Sequence, residues 1–79
     1  MDLAPFADSD GILTVDVELT KECDVFLVDE SNYANYHAGR SFRGCGGHYT
    51  YSHITIMVSG VGRWYLVVRG DTNYQYKFY

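Results

Sequence analysis

The sequence holds a single proline, two cysteines and only six lysines and arginines in 79 residues. Each scarcity excludes something. Two isolated cysteines, Cys23 and Cys45, make no disulfide framework of the kind that staples small secreted domains. No apolar run approaches the roughly 20 residues a helical bilayer crossing needs, so no membrane span is expected. Residues 1–5 carry an acid where a secretory leader would carry lysines, and no apolar segment follows. A cytoplasmic protein with reduced thiols is the expectation. The length allows one domain, residues 1–79, and no second functional unit.

Aromatic side chains are plentiful. Eight Tyr, four Phe and one Trp make up 16% of the chain. Each such ring buries on the order of 150–250 Å², so a rigid core is attainable without metal or disulfide.

The apolar pattern is that of strands. Residues 12–19 alternate strictly, with Leu13, Val15, Val17 and Leu19 on one side and Thr14, Asp16 and Glu18 on the other. Residues 25–28 form a short continuous apolar run, the mark of a strand covered on both faces. Asp29 or Ser31 is suited to cap a short helix that carries Tyr33 and Tyr36 three apart and stops at Gly39. The glycine-punctuated residues 41–47 read as a loop. Residues 49–58 then read as a second long strand, with Ser52, Ile54, Ile56 and Val58 on one parity. Residues 59–62 read as a turn. Residues 64–69 are β-branched and aromatic and read as a central strand, Gly70 and Asp71 as the last turn, and residues 73–79 as a terminal strand. The expected fold is all-β: a compact five-stranded antiparallel sandwich or partly open barrel with one short helix.

Residues 31–43 (SNYANYHAGRSFR), then Gly46-Gly47-His48, then Gly62-Arg63-Trp64-Tyr65, carry a resemblance. In these segments the sequence resembles a short uncharacterised bacterial domain family found alone or fused to TIR domains, whose members show SNYxNYxxGRxxR, GGH and GxWY in the same order. The resemblance covers roughly residues 2 to 68 and implies an all-β fold and no particular activity. Family members show aromatics where this chain has Gly44-Cys45, a proline near His53 and a histidine near Arg63, and they lack the strand after Asp71.

Several constellations compete for function. Cys45 and His48 have the spacing of a metal pair or a Cys–His nucleophile, with His37, His53 and Cys23 as further donors. A zinc site announces itself as two such pairs, and a nucleophile needs a positioned base with an orienting carboxylate. Neither pattern is present, so no metal, cofactor or catalytic residue is expected. The glycines at 44, 46 and 47 lack the Lys-Ser/Thr of a phosphate loop. Tyr33, Tyr36, Arg40 and Arg43 could clamp a nucleotide or stack on RNA bases, against the plainer role of packing the helix.

Charge is the most uneven property. Residues 1–30 hold nine of the ten acids against Lys21 alone, while residues 31–79 hold the other five bases against Asp71. Asp8, Asp10, Asp16, Glu18, Glu22, Asp24, Asp29 and Glu30 are the candidate partner-binding residues. They are either a solvated face or a surface that takes a basic, nucleic-acid-binding protein in place of DNA. The same charge argues against direct nucleic-acid binding. The resulting expectation is a non-enzymatic inhibitor, monomer or weak dimer, of a bacterial nucleic-acid-binding defence complex, phage-type and anti-CRISPR-like, acting as a DNA mimic. The alternative is a nucleotide- or RNA-sensing adaptor of a TIR-associated defence system.

Overall fold

Leu13, Val15 and Val17 are buried while their even-numbered neighbours face outward, as the alternation requires. The strand that carries them starts earlier than the apolar pattern does. The computed structural model describes residues 4–50, 53–70 and 73–79. Its elements are β1 (Phe6–Leu19), β2 (Cys23–Asp29), α1 (Glu30–His37), β3 (Cys45–Tyr49), β4 (Ile54–Arg69) and β5 (Tyr74–Phe78). The five strands form one sheet in the order β3-β2-β4-β1-β5, every pairing antiparallel, and the sheet does not close into a barrel. Of the two expected arrangements this is the partly open one.

Two expectations about element bounds are corrected. Residues 59–62 do not turn the chain: β4 runs unbroken from Ile54 to Arg69 and pairs with β1 from Phe6↔Tyr65 to Val17↔Ile54. Gly60 and Gly62 both lie at φ 134, where the β1–β4 ribbon bends, so residues that resemble a turn instead let a long strand curl. The expected loop at residues 41–47 yields a fifth strand at its end. Cys45–Tyr49 pairs with β2, and Tyr49 closes β3 instead of opening β4. A Cβ on Gly46 would lie 2.0 Å from the Val25 carbonyl oxygen, so only glycine allows this close approach. Tyr51, Ser52 and Asp71, expected in a strand and a turn, lie outside the described residues.

The curl folds the inner face onto itself. Leu13, Val15, Val17, Ile54, Ile56 and Val58 from one end meet Cys23, Val25, Leu27 and Leu66 from the other in the main core. Residues 25–28 are covered on both faces, since Val25 and Leu27 point into this core and Val28 into a second cluster with Tyr33, Tyr65 and Val67. Helix α1 builds that second cluster. The Asp29 side chain accepts the Asn32 backbone N–H at 2.9 Å, a cap worth about 0.5–2 kcal/mol, and Gly39 follows the helix in the left-handed region. Tyr33 stacks on Tyr65 at 3.8 Å between ring centroids, and its hydroxyl accepts the Ala4 N–H at 3.0 Å. The helix thus covers the outer face of β2 and the second half of β4. Among the described residues, no helix or strand covers the outer face of the β1–β4 ribbon.

Candidate interaction surface

The antiparallel register undoes much of the charge segregation of the sequence. Acid-rich β1 and β2 lie beside β4, β5 and β3, so cross-strand neighbours of opposite sign fall together. Asp8 is opposite Arg63 and accepts from its Nε at 3.1 Å. Asp24 is opposite both Arg69 and His48, and His48 sits between Asp24 at 2.9 Å and Glu22 at 3.5 Å. Hydrogen bonds to Asp24 and then to Glu22 raise the His48 pKa above the ordinary imidazole value. Asp16 is opposite Lys77 on β5 and Thr55 on β4. It accepts hydrogen bonds from the Tyr79 hydroxyl and, at 2.7 Å, from Thr55 Oγ1, with His53 Nε2 at 3.5 Å. Chiefly the Tyr79 and Thr55 hydroxyls hold its pKa below the usual carboxylate value. Asp29 is committed to its helix cap.

Three of the eight candidate acids remain. Asp10, Glu18 and Glu30 are exposed, and no cation or hydrogen-bond donor engages their side chains among the described residues. Asp10 and Glu18 share the outward parity of β1 with Asp8 and Asp16, so the register leaves a short carboxylate ridge instead of a patch of eight. Beside Glu18 and Asp16 lies an open cleft of about 230 Å³ with Gln75, Lys77 and Tyr79 on its β5 side.

The second candidate set separates. Tyr33 is 7% exposed and fully engaged in packing, and Tyr36 packs edge-on against Phe42 with Arg69 over its ring. Arg40 and Arg43 are exposed, and what binds them to the fold is backbone: Arg40 N–H to the Asn35 carbonyl at 2.9 Å and Arg43 N–H to Asn32 Oδ1 at 2.7 Å. Cys45 and His48 fall on opposite faces of β3, because Cys45 is opposite inward Leu27 and His48 opposite outward Asp24. Cys23 is buried in the main core.

Residues that the sequence reading did not select lie on the same bare face. Ile12, Met57 and Val61 are 63%, 64% and 84% exposed on adjoining positions of the ribbon. The available signal was parity: Ile12 shares its side with Thr14, Asp16 and Glu18, and Met57 shares its side with His53 and Thr55.

This is a small all-β domain, one curled sheet buttressed by a helix on half of its outer face, with its exposed chemistry on the other half. The family profile described as a domain of unknown function (DUF1883) matches residues 8–77, and the chain belongs to that family. The match takes in all of β2, α1, β3 and β4 and most of β1 and β5, so the strand after Asp71 belongs to the family, contrary to the expectation that its members lack it. No curated protein and no solved structure gives a significant match.

Proposed function

We propose that the chain is a non-enzymatic binding protein that engages a basic, nucleic-acid-binding protein surface through the carboxylate ridge of β1. One observation supports the reading above the others: Asp10 and Glu18 project from the outward side of the central ribbon, and no cation among the described residues neutralises them. Carboxylates in that state favour a Lys- or Arg-rich partner and repel phosphate. In its specific form the protein is a cytoplasmic, phage-type inhibitor of a bacterial defence complex that binds nucleic acid, an idea motivated by the charge pattern together with a family resemblance. The ridge is shorter than a phosphate row, because Asp8, Asp16, Glu22, Asp24 and Asp29 have partners within the domain. Recognition by a few basic side chains suits it better than imitation of a whole duplex. No metal or cofactor enters this reading.

The test is binding to purified nucleic-acid-binding defence effectors across a salt series. Binding that weakens as salt rises, and weakens again in the Asp10→Asn, Glu18→Gln double variant, is the expected result. Binding that ignores both salt and the double variant would overturn the proposal.

A further inference from the structure

The bare half of the outer face is acidic and also apolar at its centre. Along the ribbon, Asp10 is opposite Val61, Ile12 opposite Ser59 and Thr14 opposite Met57. Ile12 is therefore a diagonal neighbour of both Val61 and Met57, within side-chain reach of each. All three are largely solvent-exposed, although the sheet elsewhere buries its aliphatic residues. The inward positions flanking Val61 are Gly60 and Gly62, and Ile12 lies between inward Gly11 and Leu13, so at that end the ribbon has little apolar bulk on its inner side. Carboxylates bracket the patch: Asp10 at one end, with no cation at its side chain among the described residues, and at the other Asp16, which is held by the Thr55 and Tyr79 hydroxyls. Two bases lie in register near the ends of the patch: Arg63, engaged by Asp8 and over the Phe6 ring at 4.4 Å, and Lys77, opposite Asp16 and over the Tyr79 ring at 5.3 Å.

We infer that Ile12, Met57 and Val61, beside Asp10, form the docking surface for a basic protein segment that lays an aliphatic side chain on Ile12 and places Lys or Arg at Asp10. This rests on the binding role proposed above and names where and how the partner sits. Charge decides the occupant. A nucleic acid or an anionic bilayer would meet Asp10 and Asp16 with like charge, and a second copy related by a twofold axis at the patch would bring Asp10 toward its own counterpart. A segment with alternating cationic and aliphatic residues meets both properties of the surface. Burial of the three aliphatic side chains supplies affinity that salt does not screen, while the carboxylates supply the part that salt does.

The test uses three synthetic peptides of equal length, with alternating lysine and valine, lysine and serine, or glutamate and valine. Each is titrated into isotopically labelled protein and followed by amide chemical shifts. The lysine–valine peptide is expected to bind at least tenfold more tightly than the other two and to shift Asp10, Ile12, Met57 and Val61. The Ile12→Ser, Val61→Ser double variant, which changes only exposed positions and is checked for an unchanged melting curve, is expected to lose that tenfold while keeping the salt dependence. If the lysine–serine peptide binds as tightly as the lysine–valine peptide, and the double variant binds both unchanged, the docking surface is wrong and the acidic ridge stands. Failure of both lysine peptides to bind overturns the surface and the ridge together. A concentration-dependent dimer abolished by Val61→Ser would show that the patch serves a second copy, and would likewise overturn the inference.

Discussion

Gly11 of β1 stands directly opposite Gly60 of β4, and Ser9 opposite Gly62, so the ribbon bends where its inward positions carry almost no side chain. Gly60 and Gly62 adopt φ 134, which L-residues rarely tolerate, whereas Gly11 does not have positive φ and has open space where a Cβ would stand. Gly60→Ala and Gly62→Ala are each expected to destabilise by more than about 1 kcal/mol, and Gly11→Ala to be neutral or to stabilise by about 0.4–1 kcal/mol. Urea denaturation of the three variants checks the contrast in sign. Equal losses at all three positions would refute the bend.

His48 ties β3 to β2 through Asp24 and Glu22, and its folded-state pKa lies above the unfolded value of about 6.5. Stability from this contact is fully present below that unfolded value and is lost as pH rises through the raised folded one. Amide exchange in residues 45–49 is therefore expected to speed up with rising pH beyond its intrinsic increase. His48→Gln should remove the excess, and an imidazole titration by NMR locates the midpoint. An excess that persists in the variant would assign it elsewhere.

Asp16 behaves in the opposite sense. Its folded pKa is depressed, chiefly by the Tyr79 and Thr55 hydroxyls, so its contribution is present above the unfolded value of about 3.8 and is lost as pH falls through the lower folded one. Asp16→Asn and Tyr79→Phe are each expected to loosen β5. Because both remove one shared hydrogen bond, the double variant should lose less than the sum of the two single losses. Strictly additive losses would separate the pair.

The two thiols differ in access. Cys23 is buried, and burial raises its pKa, with the Asp24 charge adding to the effect, while Cys45 is exposed. One thiol per chain is expected to react promptly with iodoacetamide in the native state and the second only on unfolding. Peptide mapping should place the first modification on Cys45.

Much of this fold was legible wherever one residue type had one reason to be where it is. The alternation through Leu13, Val15 and Val17 gave the inward face, the unbroken run at residues 25–28 gave a strand covered twice, and Asp29 and Gly39 marked the helix ends. Legibility failed where glycine serves a strand instead of a turn. Gly46 accommodates the β2 backbone and Gly60 and Gly62 bend β4, yet in a linear reading all three signal a break. The start of β1 was hidden for a related reason, since the inward positions Ala7, Ser9 and Gly11 are small and leave no apolar period to detect. Charge misled in its own way. Acids and bases far apart in sequence become neighbours through antiparallel pairing, as Asp8 with Arg63 and Asp24 with Arg69 show. Only the register reveals that Asp10 and Glu18 are left over, and only burial reveals that Ile12, Met57 and Val61 stay outside.

The pairing of Phe6 with Tyr65 and of Val17 with Ile54 also governs the order of events during synthesis. β1 leaves the ribosome before β2, α1 and β3, all of which precede its partner strand β4. At roughly 5–20 residues per second, β1 spends seconds without a ladder to join. In that interval Asp8, Asp10, Asp16 and Glu18, spaced along an otherwise sticky strand, keep nascent chains from pairing with one another. Like charge along β1 thus opposes edge-to-edge pairing before the sheet is complete.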